Sequence, residues 1–94
     1  MSGRLRGAYA SKGGLVQVEF SLSPTFLIRS LEIGGVLKTK LPASAVARLS
    51  RAFEGAALDR DVLTQVAKRA FQEGQLALPF VFPEDLVAAI LTAQ

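Results

Sequence analysis

Val16-Gln17-Val18-Glu19-Phe20-Ser21-Leu22 decides the fold class of this chain. Apolar Val16, Val18, Phe20 and Leu22 alternate with polar Gln17, Glu19 and Ser21, and a period of two marks a strand with one buried face. Ahead of it, Lys12-Gly13-Gly14 is a turn signal. Behind it, Ser23-Pro24 turns the chain into Thr25–Ile33, a second strand rich in Phe, Ile and Leu. A connection this short joins only antiparallel neighbours, so the two strands form a hairpin. Residues 1–12 read as a loose lead-in with at most a short strand around Gly7–Ala10. Gly34-Gly35 closes the second strand, and a loop, Gly35–Leu41, leads to Pro42.

Beyond Pro42 the period changes. Ala45, Val46, Leu49, Ala52 and Phe53 form one stripe of a helix over 42–54, with Pro42 in its first turn and Gly55 as its stop. Asp59 is an N-cap for a second helix, whose stripe is Val62, Leu63, Val66, Ala67, Ala70 and Phe71. Asp61 complements its first turn, Lys68 and Arg69 its C-terminal part, and Gly74 ends it. Gln75–Phe82 reads as an extended arm, because Pro79 forbids a helix interior and a central strand. Pro83-Glu84-Asp85 then opens a last helix that buries Leu86, Val87, Ile90 and Leu91. The predicted architecture is α+β: a small antiparallel hairpin sheet packed against about three helices.

At 94 residues the chain is one domain spanning 1–94. Half of it is apolar and a fifth is charged, which excludes disorder and leaves more apolar surface than so small a core hides. There is no Cys, which removes disulfides, thiolate chemistry and iron–sulfur ligation. There is no His, which removes the usual general base and the commonest transition-metal ligand. A secreted domain of this size would need disulfide staples, so a cytoplasmic location is expected. Arg4 and Arg6 are followed by no apolar stretch of a signal peptide, and no apolar run approaches the roughly 20 residues of a membrane span. The formal charge is +3, with +4 over residues 1–40 and −1 over 41–94.

The candidate chemistry is sparse. Lys12-Gly13-Gly14 is no phosphate loop, since its glycines precede a strand instead of linking strand to helix. The acid pairs Asp59/Asp61 and Glu84/Asp85 stand at helix starts, where the dipole already accounts for them. Ser11, Ser44 and Ser50 lack an imidazole base. No catalytic, cofactor-binding or metal-binding residue is therefore assigned. A basic face toward nucleic acid is one alternative, weakened because the Phe residues fall mainly on buried stripes. A homo-oligomer paired through the apolar arm is another.

Several segments, in order, resemble a known family. They are Lys12-Gly13-Gly14-Leu15-Val16-Gln17-Val18, then Ile28, Leu31 and Ile33 with the Gly34 strand end. Leu49, Phe53 and Gly55 follow, and Pro83-Glu84-Asp85-Leu86-Val87-Ala88-Ala89-Ile90 closes the series. The chain is similar in these to the accessory domain of lipoate–protein ligases, which some archaea carry as a separate small subunit. The family usually follows its strand-ending glycine with an acid and two aromatics, where this chain has Gly35-Val36-Leu37. The resemblance implies the fold of iron–sulfur scaffold and sulfur-acceptor proteins (the SufE and NifU type), whose cysteine chemistry this chain cannot perform.

It also implies a non-catalytic accessory subunit, in a heterodimer with a catalytic subunit that binds lipoate and ATP and forms lipoyl-adenylate. The lipoyl-acceptor domain would be met through that complex. No membrane or nucleic acid is involved, and no cofactor is held by this chain. The expected partner-facing residues are Lys12, Gly13 and Gly14 in the turn and Gly34, Gly35, Lys38 and Lys40 in the loop. Leu78, Phe80 and Phe82 in the arm form a second, apolar contact.

Overall fold

Val16, Val18 and Phe20 all point to one side of the sheet and are buried, as the alternation requires. They belong to β2 (Gly14–Leu22), the middle of three antiparallel strands in the order β1-β2-β3, with β1 at Leu5–Ser11 and β3 at Ile28–Gly35. A computed structural model describes residues 4–76, Leu78 and residues 81–94. Among these residues, four helices complete the chain: α1 (Val36–Lys40), α2 (Ala43–Ala52), α3 (Arg60–Glu73) and α4 (Pro83–Leu91). The α+β class is as predicted, with one strand and one helix more.

The added strand lies in the supposed lead-in. β1 pairs with β2 over its whole length, from Leu5↔Phe20 to Ser11↔Gly14. Gly7, Ala8 and Ala10 have little strand propensity of their own, so the pairing and not the local sequence makes this a strand. The small residues have a use, because α4 packs closely here. A Cβ on Gly7 would fall on the carbonyl oxygen of Ala89.

The added helix replaces the expected loop after Gly35. α1 is only five residues long and buries Leu37 completely, which anchors it to the end of the sheet. The second strand also starts later than its apolar run suggested. Ser23 to Phe26 form a tight turn closed by Phe26 N–H to the Ser23 carbonyl at 2.8 Å. β3 then begins at Ile28.

Ile28, Leu31 and Ile33 are all buried although their spacings are three and two. A bulge resolves this. Glu19 faces Glu32 and Ser21 faces Arg29, so Ser30 and Leu31 together oppose Phe20. Ser30 takes φ 56°, which returns Leu31 to the core side.

The helices follow their sequence signals. The Asp59 carboxylate accepts from Val62 N–H at 3.1 Å, capping α3. Asp85 accepts from Phe82 N–H at 2.9 Å at the start of α4. Pro42 stands just outside α2, its carbonyl accepting from Ala45 and Val46. α3 and α4 pack on each other, α4 on β1 and β2, and α1 and α2 on β3. Among the described residues every buried side chain is apolar, centred on Phe20, Phe53, Leu63, Leu86 and Ile90.

The arm is not one continuous extended stretch. Leu78 and Val81 are bridged to each other, with Val81 N–H to the Leu78 carbonyl at 3.4 Å. Val81 is buried, and Leu76 and Leu78 pack against the core.

Candidate functional site

The β1–β2 turn and the β3–α1 junction lie at one end of the sheet. Ser11 Oγ donates to the Gly14 carbonyl at 2.6 Å, closing the turn around Lys12 and Gly13. Gly14, at φ +136°, suits glycine, and a Cβ there would press on the Val36 side chain at 3.0 Å. Gly35, at φ +73°, is more tightly constrained, since a Cβ there would fall on the Leu15 carbonyl oxygen. Gly34 is different: a Cβ would meet the Gln17 side chain at an ordinary 3.6 Å. Thr39 Oγ1 donates to the Gly35 carbonyl at 3.1 Å and holds the first turn of α1.

The seven residues expected at this end are thus brought together. Lys12, Lys38 and Lys40 are exposed around the glycines. None of the three forms an ion pair among the described residues. Residues 33–53 carry Lys38, Lys40, Arg48 and Arg51 and no acid, so the surface of α1 and α2 is basic. Gly35 serves the backbone, which makes the lysines the groups able to meet a partner.

The face of the sheet turned away from the core lines an open hollow of about 940 Å³. Its floor includes Ala8, Gln17, Glu19, Glu32 and Gly34, and its rims are Lys38, Val46 and Ser50 on one side and Thr92 and Gln94 on the other. An arginine fastens this face. Arg4 Nε contacts Glu19 Oε2 at 2.7 Å, and Nη2 donates to the Ser30 carbonyl at 2.7 Å and the Glu19 carbonyl at 3.2 Å. Glu32 approaches the same guanidinium at 3.8 Å, and Arg6 Nε reaches Glu19 Oε1 at 2.9 Å. The Arg4 hydrogen bond, helped by the Arg6 charge, holds the Glu19 carboxyl below its ordinary range.

Leu78 and Phe82 line a second hollow, of about 780 Å³, with Lys68, Phe71, Leu76 and Val81 between α3 and α4. Leu78 is half-buried there, whereas Phe82 is 57% exposed. Phe80 lies outside the described residues.

No protein-family model matches the chain, and no curated protein matches it either. Among solved structures it superposes on a chain from an archaeal lipoylation system of Thermoplasma acidophilum. That structure is described as a bipartite lipoate protein ligase and its E2 lipoyl domain. The match has a TM-score of 0.75 at 22% identity, and covers 96% of this chain and 97% of the other. The two chains share a fold. The coverage leaves neither with a substantial extra segment, so the added β1 and α1 belong to the shared whole.

Sequence reasoning missed Arg4 and the open sheet face. Arg4 and Arg6 are spaced by two, the period of a strand, and Glu19 is the acid on the middle strand that answers both. That pairing of signs was the available signal. No helix among the described residues is long and apolar enough to cross a membrane.

Proposed function

We propose that this chain is the accessory component of a two-part lipoate–protein ligase. In this reading it docks on a catalytic subunit, supplies no reacting group, and is needed for ATP-dependent activation of lipoate to lipoyl-adenylate. The observation that carries the proposal is the end-to-end superposition on a chain of the archaeal bipartite system. The composition supports it, since a chain without imidazole or thiol is poorly equipped to catalyse alone.

Adenylation sets a carboxylate against a triphosphate, both anionic, in a site that must exclude water. Ordering the loops of such a site is a preorganisation problem, and a docked domain supplies it through contact energy. The basic end with Lys12, Lys38 and Lys40 is the proposed face toward the catalytic subunit, and the Phe82 region a second contact. Lipoate and ATP stay with the catalytic subunit, and the lipoyl-acceptor domain is met through the complex.

The test is reconstitution with a lipoate–protein ligase catalytic subunit that lacks its own accessory domain. Lipoyl-adenylate is measured with and without this chain. The expected result is a stable complex and adenylate formation that depends on adding the chain. Equal adenylate formation in its absence would remove the proposal.

A further inference from the structure

The sheet has a covered side and an open one. Val16, Val18 and Phe20 are buried, so Leu15, Gln17 and Glu19 point the opposite way. Register extends that outward side across all three strands. Ala10 stands opposite Leu15, Ala8 opposite Gln17, Gln17 opposite Gly34, and Glu19 opposite Glu32. The outward side is the floor of the hollow of about 940 Å³, raised at the β1 edge by Thr92 and Gln94 and at the β3 edge by Lys38, Val46 and Ser50. Both banks stand at sheet edges, so the hollow is a trough that runs along the strands.

Its two halves differ in charge. Toward one end Arg4 and Arg6 pair with Glu19 and Arg4 approaches Glu32, so two cations and two acids cancel. Toward the other end the outward residues are Ala8, Ala10, Gln17, Gly34 and Leu15, the last 45% exposed. Lys38 on the bank and Lys12 in the adjoining turn form no ion pair among the described residues. The uncompensated charge of this face is therefore positive and sits at the glycine end.

The backbone is already spent. β2 is bonded on both sides, Thr92 and Gln94 bond the outer edge of β1, and Leu31 and Ile33 are buried. Recognition on this face falls to side chains. A convex element fits between two banks, and a helix laid along the strands buries one apolar stripe on a sheet. We propose that the trough receives a helix of the catalytic subunit, its apolar stripe over Leu15 and Gly34 and its acidic side chains against Lys38 and Lys12. The stripe gives contact area, and the charges fix which way the helix points. Glu32, with a side chain 74% exposed in the same floor, opposes nucleic acid. The inference deepens the docking reading and rests on it for the identity of the partner.

The test is amide NMR on the isotope-labelled chain, alone and with an unlabelled catalytic subunit. Shifts at Ala8, Ala10, Leu15 and Gly34 should exceed those along α3. Gly34→Glu and Ala10→Glu each place an acid in the trough, and each should weaken the complex about tenfold at an unchanged melting temperature. Gln65→Glu, the same charge change on exposed α3 surface, should leave affinity as it is. Because the chain has no Cys, Gly34→Cys supplies a single thiol for a cross-linker. Captured positions on the catalytic subunit should be spaced by three and four.

Capture at a spacing of two, or no capture, overturns the helix. A complex that activates lipoate while these amides stay unshifted and Gly34→Glu binds as wild type overturns the trough and leaves the ligase reading intact. Absence of any complex overturns the ligase reading and the trough's occupant together. A chain that dimerises alone through the same amides assigns the trough to a second copy and overturns the proposal.

Discussion

On the β1 side the sheet is finished by its own chain: α4 lies against Gly7, and residues 92–94 bond the outer edge. On the β3 side the cover is thin. α1 is one short helix held by Leu37, and α2 buries only Leu49. The difference teaches where this small domain invests its packing. Burial concentrates on α3, α4 and the inner faces of β2 and β3, whereas α1 and α2 bury one residue each and leave their basic side chains at the surface.

Gly7→Val should have the largest effect. It drives a side chain into the Ala89 carbonyl and lifts α4, for a loss of about 3 kcal/mol or more, read as a fall in denaturation midpoint. Gly35→Ala tests the other side. It combines positive-φ strain with a clash on the Leu15 carbonyl, for about 2–3 kcal/mol. If it proved neutral, the β3–α1 junction would be looser than described. Thr92→Val removes the hydroxyl that serves Ala8 and should cost about 1 kcal/mol in thermal unfolding, with faster exchange at the Ala8 amide. Lys38→Glu and Lys40→Glu should leave the unfolding free energy within about 0.5 kcal/mol of wild type while weakening the proposed complex with a catalytic subunit.

The last prediction concerns the outer face shared by both sides. Glu19 has a lowered carboxyl pKa in the fold, so its contribution is present above the ordinary glutamate range and is lost as pH falls through the folded value. Acid titration of Glu19→Gln should therefore show a shallower loss of stability below about pH 4 than the wild type.

Much of this fold was legible because some residues speak for themselves. Asp59 and Pro83 announce helices through caps and first-turn chemistry, and Val16, Val18 and Phe20 announce a strand by alternation. β1 was legible only as a short stretch around Gly7–Ala10, since Gly7, Ala8 and Ala10 suit what α4 needs above them and carry little strand preference. α1 was missed because five residues cannot display a helical period. The bulge at Ser30 disguised β3, whose buried residues break the simple alternation.

The candidate site was half legible. The glycine turn and the lysines could be named, but their meeting at one end depends on the pairing of β1 with β2.

The bonds between Arg6 and Gln94 have a practical consequence. The beginning and the end of the described chain stand side by side, so a short linker could splice them and new ends could be opened at exposed Gly55, where a Cβ would meet nothing within 4 Å. Such a rearranged polypeptide should fold to the same shape, offering a second place to attach a reporter.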